Sequence, residues 1–170
     1  TNLAANTYTR LKACATSVEK YFTWDIREDI LCKDDVSYEF IDSLVDDSIQ
    51  QTFFVEDTRY LTSIKDANGN RMEDTKADPA IWETVKAGND FKDKNVTIAG
   101  TEYYVYYKPV KAEDGTVIGM AFAGEPTAHV DNACNKLMIK IYTIDTVLLL
   151  IFGVILFIVA RMIRRPTADI

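Results

Sequence analysis

The chain has 170 residues, 48% of them hydrophobic, and its 26 acidic against 19 basic side chains give a formal net charge of −7. That is enough apolar material for one domain with its own core and a further segment, without cross-links to hold it. The acidic balance argues against nucleic acid as a partner, because a nucleic-acid binder presents a basic face.

Residues 3–31 are predicted helical: Leu3, Leu11, Val18, Phe22, Ile26 and Ile30 recur at helical steps with no Pro or Gly between them. Leu11, Cys14, Val18 and Tyr21 also make a short heptad-like seam, suited to packing on a sheet or on a second copy of itself. A second helix is predicted over "DDVSYEFIDSLVDDSIQQ", residues 34–51, with Val36, Phe40, Leu44, Ile41, Val45 and Ile49 on one wide apolar face. Then the character changes. "TRYLTSIKD" is rich in β-branched and aromatic residues and reads as a strand running into the turn "ANGN", with "NRMEDT" as a short return strand. "DPAIWETVKAG" is a compact helix with Asp78 as cap, Pro79 at the first turn and Gly88 at the exit.

Three more strands follow, "VTIAG", "TEYYVYYKPV" and "TVIGMAFAG", joined by short turns and therefore antiparallel. In the middle strand Tyr103, Val105 and Tyr107 share one face, and Tyr104, Tyr106 and Val110 the other. In the last strand Ile118, Met120 and Phe122 are bulky on one side, while Val117, Gly119, Ala121 and Ala123 are small on the other. A sheet apolar on both faces needs two covers. The long N-terminal helix supplies one, and the face lined by small residues is expected to leave room for a cavity.

From Ala128 the chain reads as helix again and runs into "IYTIDTVLLLIFGVILFIVA", residues 141–160, whose length as a helix matches the hydrocarbon core of a bilayer. "RMIRR" follows at once, which by the positive-inside rule puts that end in the cytoplasm and residues 1–140 outside it. Asp145 lies about one turn inside the opposite end, within reach of the interface. Thr1 is not an initiator methionine, so the expectation is a piece of a longer chain, preceded by a signal peptide or a first membrane helix.

Four stretches carry a resemblance: "TFFVEDTRYLTSI", "DANGNRMEDTKA", "YYVYYKPV" and "DGTVIGMAFAG". In order and spacing they resemble the single Cache domains of bacterial transmembrane receptors. The resemblance implies an α+β, PAS-like Cache fold: a long N-terminal helix packed on a five-stranded antiparallel sheet, followed by a transmembrane helix. "RMIRRPTADI" resembles the start of a HAMP linker. The implied organisation is N-terminal helices over 1–51, the sheet core with its ligand pocket over 52–127, a juxtamembrane helix over 128–140, the membrane helix over 141–160 and the HAMP start over 161–170. Receptors of this layout are methyl-accepting chemotaxis proteins, with sensor histidine kinases and cyclases as alternatives. The implied partners are a small-molecule ligand, the membrane, a second copy of the chain, and a cytoplasmic chemotaxis kinase and adaptor reached through an output domain.

Arg71 follows the turn, where the Arg of related citrate-sensing PAS-like domains binds a carboxylate; otherwise it is a surface Arg paired with Asp66 or Glu73. Lys76 precedes the helix capped by Asp78 and either adds to an anion site or is solvated. Tyr103 and Tyr107 offer an apolar wall with a donor at the tip, or pack the core. Arg59 pairs with Asp57 or faces the ligand, and Thr62 is a further candidate. Cys14, Cys32 and Cys134 form an odd, scattered set with no CxxC, and His129 is the single histidine. Neither a disulfide framework nor a metal site fits, and the cysteines read as packing residues or free thiols. No phosphate loop or catalytic triad is visible, so the expectation is a non-enzymatic receptor module without a cofactor; a membrane-tethered enzyme or adhesion domain is the competing class.

Overall fold

The computed structural model describes residues 2–27, 33, 35–45 and 48–163, with side chains left out at 2, 3, 24–27, 35, 133 and 134. The chain divides into two units, residues 1–129 and 130–170. The predicted helix beyond Arg27, Cys32, the side chain of Cys134, and the Arg164–Arg165–Pro166 end of the HAMP-like tail lie outside the described residues.

The first unit is built on five strands: β1 (Gln50–Val55), β2 (Thr58–Thr62), β3 (Phe91–Ile98), β4 (Thr101–Lys111) and β5 (Val117–Pro126). They form one antiparallel sheet in the order β2-β1-β5-β4-β3. Helix α1 (Asn2–Arg27) covers one face. Its Leu11, Ala15, Val18 and Phe22 recur at helical spacing and are all fully buried. Phe22 stacks on Phe53 of β1 with ring centroids 4.2 Å apart. Cys14 and Tyr21 of the expected seam lie half-buried beside this stripe. Glu19 accepts from Lys108 Nζ at 2.6 Å, tying α1 to β4.

Three expectations are corrected. The second helix stops early: α2 spans Asp35–Ser43, and Gln50 and Gln51 open β1. β1 is a central strand covered on both faces, with Phe53 packed towards α1 and Phe54 in the cluster on the opposite face, so Gln51, Thr52, Phe53 and Phe54 are all buried and the period-two signal is lost. "NRMEDT" is not a strand of the sheet. It makes isolated bridges, Lys65 with Arg71 and Thr58 with Lys76, and covers the edge of β2: Arg59 N donates to Thr75 O, and Asp74 N to Arg59 O, each at 2.8 Å. The cavity, finally, is not on the small-residue face of β5. Ala121 packs with Val18 and Phe22 of α1, because small side chains let the helix approach. Met120 and Phe122 join Tyr103, Val105 and Tyr107 on the opposite face, under α3 (Pro79–Lys86). Ile118 leaves that series because the ladder skips it, passing from Val110–Gly119 to Lys111–Val117.

Helix α3 forms where its punctuation predicts. Asp78 accepts from Ala80 N at 2.8 Å, Pro79 sits in the first turn, and Gly88 takes a φ of +86° at the exit. Helix α4 (Thr127–Ile163) begins at the residue after β5, within the first unit, and from Val130 forms the described part of the second, running unbroken over the expected juxtamembrane and membrane segments. It is long and apolar enough to cross a membrane, and Leu148, Leu149, Leu150, Ile151 and Phe152 are each more than half exposed.

Candidate ligand cleft

On the sheet face opposite α1 lies a cleft of about 760 Å³. The loop before α3, the first turn of α3 and the exposed strand β3 bound it. A bulge shapes the β3 wall: the register passes from Asp93–Val105 to Val96–Tyr103, with Asn95 at a φ of +67°. Val96 and Ile98 then line the cleft with Met72, Ile81 and Phe91, making an apolar wall.

Arg59 is the one buried charged side chain among the described residues of the lining. It projects from β2, lines the cleft and is only 5% exposed. Its Nη1 donates to Thr75 Oγ1 at 2.6 Å, and its guanidinium lies 5.3 Å from the Phe54 ring. Nε is buried without an acceptor among the described residues. Neither Asp57 nor any other described carboxylate pairs with it; Asp57 takes Lys76 instead, at 2.9 Å. Burial pushes the Arg59 pKa down, against the smaller opposing influence of Tyr107 and Tyr103. A buried charge without a counter-ion is costly unless something supplies one.

Tyr107 also lines the cleft and is 2% exposed, and burial pushes its pKa up to about 12. Lys76 stands at the cleft with a largely exposed side chain, and its ammonium holds Asp57 below the usual carboxylate range.

The remaining candidates go elsewhere. Arg71 does not line the cleft. It grips Asp42 of α2 with two hydrogen bonds, at 3.0 and 2.7 Å, and donates to Thr62 O at 2.7 Å. Its hydrogen bonds hold the Asp42 carboxyl below its ordinary pKa. The surface partners expected for it, Asp66 and Glu73, are otherwise engaged: Asp66 accepts from Asn68 N and Asn70 N, and Glu73 from Lys33 and Tyr38. Tyr103 lines a second, smaller cleft of about 520 Å³ beside Asp42, Gln50, Ser63 and Lys65. Thr62 is fully buried within the sheet, its hydroxyl 2.6 Å from that of Thr52. Of the six residues singled out in the sequence, Arg59, Lys76 and Tyr107 therefore meet at one cleft. Thr75 and the apolar wall escaped the reading. Thr75 was legible within the Thr-Lys pair of "DTKA", but the wall depends on a bulge whose local cue, Asn95 at a positive φ, does not say which strand bends or where its side chains go. His129 bonds Glu125 Oε1 at 2.9 Å and is not part of the cleft lining.

The family model described as single Cache domain 3 matches residues 33–137. No curated protein matches the sequence. Among solved structures, the sensor domain of E. coli DcuS is similar at 15% identity and a TM-score of 0.51, over 79% of this chain and 96% of that one. The ligand-binding domain of the Campylobacter jejuni chemoreceptor Tlp3, solved with L-valine, matches at 18% identity and a TM-score of 0.37, over 76% of this chain and 62% of that one.

Proposed function

The chain belongs to the single Cache domain family, and we propose that it is the extracytoplasmic ligand-binding portion of a bacterial transmembrane chemoreceptor, with the cleft at Arg59 as the site of a small carboxylate. The observation that carries this reading is the buried guanidinium of Arg59, which lacks a carboxylate partner among the described residues and opens on a cleft of about 760 Å³. A ligand carboxylate supplies the missing counter-ion, and a planar guanidinium is suited to hold it. Thr75 fixes one corner of the guanidinium, so part of its ordering is complete before a ligand arrives.

The long apolar helix after the sheet supports a membrane location, and the Arg residues that close it support a cytoplasmic C-terminus. In this reading the ligand biases β5 and, through the chain that continues into α4, a HAMP linker in a homodimer. A histidine kinase or a cyclase in place of the chemotaxis output would leave the sensor half of the reading unchanged.

The test is thermal denaturation of the full chain in lipid nanodiscs with a panel of small carboxylates. A ligand at 100 times its dissociation constant stabilises by about 2.7 kcal/mol. Arg59→Met, which keeps an apolar stem of similar length, is expected to raise the melting temperature of the unliganded protein and to abolish the ligand-induced rise. A ligand-induced rise that survives in Arg59→Met would remove Arg59 from the site.

A further inference from the structure

Resting on the assignment of this cleft as the ligand site, we infer that its ligand class is a monocarboxylate with an apolar body, not a di- or tricarboxylate. Two independent features of the lining point there. The first is the charge inventory. Arg59 is a cation without an acid partner among the described residues. Lys76, the second cation of the lining, is held by both oxygens of Asp57, at 2.9 and 3.3 Å. The other charged side chains of the lining, Asp78 and Asp93, are acidic. A second carboxylate on the ligand would meet these acids, or would have to strip Lys76 from Asp57, and like charges brought close in a cleft repel strongly.

The second feature is the wall. Met72, Ile81, Phe91, Val96 and Ile98 give the cleft a continuous apolar side. Ile81 and Ile98 are almost wholly buried, and Met72, Phe91 and Val96 pack half-buried against the same core. Phe91 stands edge-on to Tyr107 with centroids 6.0 Å apart. A hydrated second anionic group would lose water against this wall without finding a donor. An alkyl or aryl group instead gains by leaving water there. The cleft volume of about 760 Å³ also exceeds what the smallest acids fill. The geometry thus divides the ligand into one anionic end at Arg59 and one apolar end against β3.

The experiment is isothermal titration of the full chain in nanodiscs with acetate, butyrate and hexanoate, and with succinate and adipate as dicarboxylates of the same chain lengths. Affinity is expected to rise about fourfold per methylene along the first series, the effect of burying one such group. Hexanoate is expected to bind at least tenfold more tightly than adipate. In Val96→Thr, which keeps the side-chain shape but puts a hydroxyl in the wall, the hexanoate-to-acetate affinity ratio is expected to fall about fivefold. Equal or tighter binding of the dicarboxylates, no dependence on chain length, or no binding by either series would overturn the inference. Dicarboxylate binding as tight as that of hexanoate, and lost in Arg59→Met, would overturn it while leaving the cleft as the ligand site. Carboxylate binding that persists unchanged in Arg59→Met would sink both.

Discussion

Two arginines set the residue-scale contrast. Arg59 is buried with an unsatisfied Nε, whereas Arg71 has both terminal nitrogens on Asp42 and a backbone carbonyl besides. Arg71→Ala should therefore act on stability and not on ligand binding. The pair is partly exposed, so the expected cost is about 1 kcal/mol, read as a lower urea midpoint with an unchanged slope. Asp42 gives this cost a pH signature. Arg71 lowers its folded pKa below the ordinary 3.8, so its contribution is complete above that value and fades as pH falls through the lower folded one. The difference between wild type and Arg71→Ala should shrink below about pH 3.8, and a constant difference down to pH 2 would contradict the pairing. Sequence reasoning put Arg71 first among the candidates, whereas the structure pairs Arg71 with Asp42 and places Arg59 in the cleft lining. Arg71 sits beside a turn, where an anion site is easy to imagine. Arg59 lies two residues from Asp57, which looks like its partner, and nothing in the chain order says that Lys76 takes that carboxylate instead.

At the scale of elements, the close approach of β1 and β5 depends on Gly119. A Cβ there would stand 2.0 Å from Phe54 O, a backbone atom that cannot swing away. Gly119→Ala should cost about 1–3 kcal/mol by forcing the two strands apart, measurable as a fall in melting temperature. A wild-type melting temperature in that variant would mean that the strands are not so close. Helix α3 was legible because Asp78, Pro79 and Gly88 are local signals that act through their own backbone. β4 was legible because its tyrosines alternate, with Tyr103 and Tyr107 in one core cluster and Tyr104 against Tyr8 of α1. β1 was not, because a central strand buried on both faces has no alternation to show, and Ile49 continued the apolar spacing of α2. The two faces of β5 were legible as bulky and small, but their roles were reversed. Size alone does not say which face admits a helix and which holds a cavity.

The whole molecule combines a single Cache domain, on a fold shared with the E. coli DcuS sensor domain, with a helix fit to span a membrane. β5 ends at Pro126 and α4 begins at Thr127. Under the proposed function, a ligand biases the membrane helix only by its differential affinity for two states. Topology is tested by thiol labelling of intact cells, in a background whose native cysteines are replaced by serine. An impermeant reagent should reach Asn89→Cys and miss Thr167→Cys, and the opposite pattern would put the cleft on the cytoplasmic side. The most direct test of Arg59 as the carboxylate anchor is its own Nε–H resonance, followed in selectively ¹⁵N-arginine-labelled protein and assigned by its loss in Arg59→Met. Titration with hexanoate should shift this proton downfield as the unsatisfied Nε gains an acceptor, while the Arg71 signal stays in place. A shift at Arg71 with an unmoved Arg59 signal at saturation would contradict the assignment and return the site to the turn at residues 66–71.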